Sequence, residues 1–241
     1  VDQLESSDPE ADEAERDAVV DEALEKAAIE QDCEDKATLL IGDDDWPIAV
    51  PLVRESGAWL FDLEAGLDEV YNGRIGSNEL HAIAVLGELV QAQSEYWTHN
   101  DHRYAHKLRS SPGKQDGLYW PAKEGEPESP LGEYLVQAAA EGYDADAAQG
   151  RAPYHGYYFR LLTAQGEHAP SGAMDYVVDG VMSQGFGVVA WPADYGNSGI
   201  MTFITNQNGI VFEKDLGDAT ATEVETITAY DPDSSWEVVI D

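Results

Sequence analysis

Apolar positions recur with helical spacing most clearly in residues 78–97. Ile83, Leu86, Val90 and Trp97 fall on one line at spacings of 3, 4 and 7, and Ala82, Val85, Leu89, Ala92 and Tyr96 form the adjacent line. Two adjoining lines give an apolar face wide enough to lie across a sheet. Ser77 stands where an N-cap belongs and Glu79 favours a first turn, so the pattern predicts a helix over residues 77–98.

Residues 1–36 have a different composition. They hold 15 acids against Arg16, Lys26 and Lys36, with no glycine and no aromatic. From Ala11 onward Val19, Val20, Ala23, Leu24, Ala27, Ala28 and Ile29 supply an apolar stripe, which predicts an acidic amphipathic helix partnered by the following hairpin or by another chain. From Ala37 the pattern turns to strands. Residues 37–41 read as a strand ended by Gly42-Asp43-Asp44-Asp45. Residues 46–53 belong at a sheet edge, because Pro47 and Pro51 cannot donate to a ladder. After the turn Arg54-Glu55-Ser56-Gly57, residues 58–63 return as a strand and a short helix over 63–71 leads out.

Proline and glycine punctuate residues 108–130, and a short helix over 131–141 is closed by Gly142. Strands are predicted at 154–163, 185–191, 198–205 and 210–214, with Asn208-Gly209 as a hairpin marker, then a second short helix over 219–229. The chain therefore divides into an acidic helical segment (1–36), a small hairpin unit (37–73) and a core domain (74–241). The fold class is α+β, a long amphipathic helix packed on an antiparallel sheet. Leu86, Val90, Tyr157 or Tyr158, Phe186, Val188 and Phe203 are the expected core.

Composition narrows the functions. The 241 residues carry 48 acids and 13 Lys and Arg, a net charge of −35. That excludes general affinity for nucleic acid, which needs cations to displace counterions from phosphate, and argues against docking on an anionic membrane. The acids are spread along the chain, as in proteins that stay hydrated in salty, halophilic surroundings; a calcium-rich or partner-binding surface is the alternative. Cys33 is the single cysteine, so no internal disulfide and no cysteine-based zinc site is expected. No apolar run approaches a membrane span. Val1 is not an initiator methionine and no signal peptide is visible, so the chain is expected to be processed or cut from something longer.

Longer motifs carry a resemblance. GDDDWPIAVPLV (42–53), RIGSNELHAI (74–83), KQDGLYWPAKEGEPESPLG (114–132), PYHGYYFRLLTAQG (153–166) and YGNSGIMTFITNQNGIVFEKDLG (195–217) resemble the bacterial family catalogued as domain of unknown function 2950. The resemblance covers roughly residues 37–241. The acidic first 36 residues depart from the pattern and look shortened against that family's N-terminal helical region. Members generally begin with a signal peptide, so the resemblance implies an exported protein, periplasmic or extracellular, and implies no chemistry. A weaker likeness concerns shape. Residues 78–97 are similar to the post-transmembrane helix of type IV pilin-like proteins, and the later strands are similar to their C-terminal sheet, which implies a pilin-like roll. The apolar first half of a pilin helix and its processing site are absent, so filament assembly is not implied.

Several constellations are candidates for chemistry. If the long helix continued, His99, His102 and His106 would share one face, with Asp101 behind a ring N–H, and three imidazoles with an open position suit zinc or copper. The other reading is a polar helix end whose histidines complement the negative terminus. Asp144 and Asp146, near Glu141, form an acidic cluster for calcium, without the spacing of a calcium loop. Nucleophile elbows and phosphate-binding loops are absent; Gly196-Asn197-Ser198-Gly199 reads as a strand-to-strand turn. Tyr119, Trp120, Tyr154, Tyr157, Tyr158, Trp191 and Tyr195 gather in the family-like segments, where they either fill the core or form a platform for a glycan, peptide or partner strand; Tyr119, Trp120, Tyr154, His155 and Tyr195 are the expected platform residues.

These observations favour a non-enzymatic exported protein with a pilin-like core that binds a protein or polymer partner in the cell envelope, with no cofactor expected. The alternatives are a metal-dependent envelope enzyme using the three histidines, or a calcium-stabilised structural module. Ligands on one helical face favour the enzyme; a splayed loop favours the binder.

Overall fold

The computed structural model describes residues 9–121, 129–131 and 153–240. The chain divides into two compact units, Val1–Ser77 and Asn78–Asp241.

The first unit opens with helix α1 (Pro9–Glu25), followed by strands β1 (Ala27–Cys33), β2 (Lys36–Ile41), β3 (Trp46–Pro47), β4 (Leu52–Glu55) and β5 (Ala58–Phe61). The sheet order is β1-β2-β4-β5, with β3 beside β2. The helix thus ends earlier than its composition predicts. Ala27, Ala28 and Ile29 pair with Ile41, Leu40 and Leu39, so they are strand and not the end of an amphipathic stripe. Val19, Val20 and Leu24 are exposed on α1. The segment with two prolines breaks in two: β3 is peripheral, whereas β4 starts only after Pro51 and lies inside the sheet, between β2 and β5.

Helix α2 (Leu63–His99) is one continuous element, so the two helices read from the sequence are a single helix of 37 residues. Its N-cap is Asp62, whose carboxylate accepts the Ala65 N–H at 3.1 Å; Ser77 lies inside the helix. Gly66 belongs here despite its low helix propensity, because a Cβ would lie 2.7 Å from the Val50 Cα.

The second unit begins inside α2. Strands β6 (Tyr157–Leu162), β7 (Ala164–Gln165), β8 (Met174–Asp175), β9 (Val177–Val178), β10 (Val181–Met182), β11 (Gly187–Pro192), β12 (Met201–Asn206) and β13 (Phe212–Asp215) follow, then helix α3 (Thr220–Glu223) within two 3-10 turns, and β14 (Glu237–Val238). Five of them form an antiparallel sheet of order β14-β13-β12-β11-β6. Strand alternation sends Val188, Ala190 and Phe203 to one face, where they join Ala82, Val85, Leu86, Leu89, Ala92 and Tyr96 of the helix in one buried cluster. Val189, Trp191 and Ile204 point the other way and pack with Val224 and Tyr230. Arg160 ties down that second layer: its guanidinium donates to the Val224 and Ile227 carbonyls at 2.6 and 2.9 Å and lies over the Trp191 ring. Of the expected core, Leu86, Tyr157, Phe186, Val188 and Phe203 are buried, and Val90 and Tyr158 are partly so. The helix read over 219–229 is shorter, one turn of α-helix flanked by 3-10 turns. The helix expected over 131–141 lies outside the described residues beyond Leu131.

Candidate functional site

Helix α2 stops at His99 because the next residues leave helical space. Asp101 and His102 have φ of +52° and +60°, and the His102 N–H donates to the Trp97 carbonyl at 3.1 Å, the closing bond of a Schellman turn. Asn100 Nδ2 donates to the terminal Tyr96 carbonyl, and Thr98 Oγ1 bonds back to Ser94 O inside the helix, both at 2.9 Å. The chain then folds back along the helix. Gln93, fully buried, holds it there: its amide oxygen accepts the Ala105 N–H at 2.8 Å and its amide nitrogen donates to the Ala105 carbonyl at 2.9 Å.

That return places Tyr104 beside the helix, with its N–H donating to Met182 O at 2.7 Å. Its ring packs on buried Phe186, centroids 5.1 Å apart, and faces Trp97 at 6.4 Å. His102 meets the Trp97 ring edge-on at 4.1 Å. Along the same helical stripe Gly87, Val90, Gln91, Ser94, Glu95 and Thr98 complete one wall, and Gln207 closes the far side, leaving a cleft of about 600 Å³. Gln207 is fixed because its oxygen accepts the Phe186 N–H at 3.3 Å. Gly185, at φ +152°, permits this: a Cβ there would lie 2.8 Å from the Tyr176 ring and 2.9 Å from the Gln207 oxygen. Gly87 opens the wall, since a Cβ would meet nothing within 4 Å.

The lining combines rings with amides and hydroxyls, and carries one carboxylate and no cation. Burial pushes the Tyr104 phenol up, so it keeps its proton and can donate at neutral pH. Such a surface recognises ligands by stacking and hydrogen bonding. The sequence placed Trp97 on the apolar helix face and Phe186 in the core, and did not single out Tyr104 or Gln207. The signal available was Gln93, a polar residue on the buried helix stripe.

The three histidines do not share a helical face. His99 Nδ1 lies 2.9 Å from Glu95 O in the last turn, His102 sits in the Schellman turn beyond the helix, and His106 Nε2 accepts the Met182 N–H at 3.1 Å. Among the described residues no group of three or more His, Cys, Asp or Glu side chains is placed to hold a metal ion. The one-face arrangement read from the 3 and 4 spacing fails because the helix ends at the first of the three. Asp144 and Asp146 lie outside the described residues.

The five expected platform residues each have contacts that can be named. Trp120 is buried, and Tyr119 pairs through its backbone with Leu108 and Ser110 under the Arg109 guanidinium. Tyr195 donates to the Asp215 carboxylate at 3.0 Å, which pushes its phenol up. Tyr154 and His155 do meet, ring centroids 4.4 Å apart, and His155 stacks on His81 at 4.1 Å.

Around His81 three motifs interlock. Asn78 donates to Ser198 O, the Glu79 carboxylate accepts the Ile200 and Met201 N–H groups, and Tyr157 donates to Met201 O, all at 2.9 Å. A Cβ on Gly199 would collide with the Tyr157 ring. Burial and then the Glu79 carboxylate push the Tyr157 phenol far up, so it remains a neutral donor. These motif residues fix the turn between β11 and β12 against the helix, which is a fold-defining task.

The chain belongs to a family of proteins of unknown function (DUF2950), whose sequence model matches residues 1–239. The match extends through the acidic first 36 residues, contrary to the expectation that they depart from the family pattern. No curated protein and no solved structure matches the chain.

Proposed function

We propose that this member of the DUF2950 family is a non-enzymatic, exported protein with a pilin-like core, which binds a protein or polymer partner of the cell envelope in the cleft between Trp97, Tyr104 and Phe186. The cleft carries the reading. At about 600 Å³ it falls within the range of roughly 300–1,000 Å³ of ligand sites. Its rings are held by fixed backbone bonds at Tyr104 and Phe186, so little ordering is needed when a ligand arrives. Gln91 and Ser94 on the helix wall and Gln207 across from them provide donors and acceptors for the polar groups of such a partner. The lining favours neutral or cationic segments over anionic ones, since Glu95 is its one charge and the whole chain carries −35. Placement in the envelope is inferred from the exported character of the family that the motifs resemble.

The test is calorimetric titration with muropeptide fragments, cellohexaose and an unstructured decapeptide, on wild type and on Trp97→Ala and Tyr104→Ala. Truncating a central ring costs about 2 kcal/mol or more of binding, so each variant should weaken the bound ligand more than about tenfold. A ligand that binds wild type and both variants equally would show that the cleft is not the site.

A further inference from the structure

We propose that strand β5 is a docking edge for an extended, cationic segment of a partner protein, which adds to the sheet of the first unit as a further strand. The surface shares no residue with the cleft and extends the proposed function to a second contact. Strand β5 ends the sheet order, and all four of its residues are exposed. Trp59, Leu60 and Phe61 are 37, 51 and 48% exposed, and Leu63 follows at 58%.

The hairpin geometry says which backbone groups face outward. Ser56 and Gly57 have φ of +52° and +84°, a two-residue loop with both central residues left-handed. Such a loop makes Glu55 and Ala58 a hydrogen-bonded pair. Alternation then gives the same bonding to Val53–Leu60, and the Asp62 N–H indeed donates to Pro51 O at 2.8 Å. Trp59 and Phe61 therefore turn their N–H and C=O groups away from β4. Among the described residues no strand pairs with that side.

An apolar edge with open donors would template self-association unless something opposed it. Strand β5 holds no proline, no charge and no bulge. What opposes a second copy is charge: residues 1–77 carry 23 acids against 5 Lys and Arg, and close to β5 in sequence Glu55, Asp62 and Glu64 outnumber the one cation, Arg54, which pairs with Trp59. The same field that repels a copy attracts a cationic strand. Charge complementarity thus selects a partner alternating apolar and basic residues, whose side chains reach the apolar rings while its backbone completes the ladder.

The test uses the full chain and three labelled octapeptides, alternating Val-Lys, alternating Val-Glu, and octalysine, read by fluorescence anisotropy at low and high salt. The Val-Lys peptide should bind, weaken with salt, and exceed the other two by more than tenfold. Trp59→Pro removes one outward donor and spares the hairpin bonds, so with melting unchanged it should bind about fivefold more weakly than Trp59→Ala. N-methylating alternate amides of the probe removes its donors without touching the protein and should give a comparable loss. Equal binding of octalysine or Val-Glu, indifference to both N-methylation and the Pro variant, or β5-dependent dimerisation at low salt would each overturn the proposal.

Discussion

Replacing Gln93 by Leu tests how the cleft is built. The side chains are of similar volume, so the substitution changes hydrogen bonding more than packing. Gln93 is fully buried and Ala105 is 1% exposed, and two bonds of 2.8 and 2.9 Å join them. Without the amide, the Ala105 N–H and C=O lose their partners in a site closed to water. Each orphaned group costs about 1–3 kcal/mol, and relieving the desolvated amide returns part of that, so the net loss should be about 3 kcal/mol. For a domain of this size that lowers the midpoint of melting by about 6–12 °C. Urea unfolding followed by tryptophan fluorescence, with a thermal melt, measures both. Gln93→Glu keeps an acceptor, loses the donor and buries a charge, and should be at least as damaging at neutral pH. Should Gln93→Leu fall within about 0.5 kcal/mol of wild type, the return of residues 100–106 is not held as described.

Other outcomes follow from the same structure. Burial, Glu79 and Glu237 push the Glu213 carboxyl up, so its contribution to stability is greatest below its unfolded pKa and is lost as pH rises through the folded one. Glu213→Gln should therefore stabilise at pH 7, with the gain vanishing below about pH 4 in pH-dependent urea unfolding. The Asp231 carboxylate, 3.1 Å from His168 Nδ1, raises the His168 pKa; an NMR titration should show a value above the ordinary 6.5 that returns towards it in Asp231→Asn. Self-repulsion at −35 should weaken as the Debye length falls to about 8 Å near physiological ionic strength, so the melting temperature should rise from low salt to about 0.5 M.

The helix over residues 78–97 was legible because its apolar face is wide and regular, and Ala82, Val85, Leu89, Ala92 and Tyr96 are all buried. Its extension back to Leu63 was hidden by Gly66, Gly73 and Gly76, which lower local propensity. At Gly66 a tertiary demand, the approach of Val50, outweighs that cost. Strand β1 was hidden for the opposite reason: Ala27, Ala28 and Ile29 favour a helix locally, and pairing with β2 decides otherwise. Aromatic residue types pointed to a binding surface, but the cleft assembles Trp97, Tyr104, Phe186 and Gln207 from separate segments with no shared motif. The recognisable motifs around Asn78, Glu79 and Tyr157 serve the fold instead. That is why the sequence announced the family more clearly than the site.

The central claim is that the partner docks against Trp97. The chain has six tryptophans, each with one indole N–H resolvable by ¹⁵N NMR. Titrating the calorimetrically identified ligand should shift the Trp97 indole signal saturably, with the affinity seen by calorimetry, and leave the buried Trp120 and Trp191 in place. Shifts confined to Trp46 and Trp59, with Trp97 unmoved at saturation, would contradict the account.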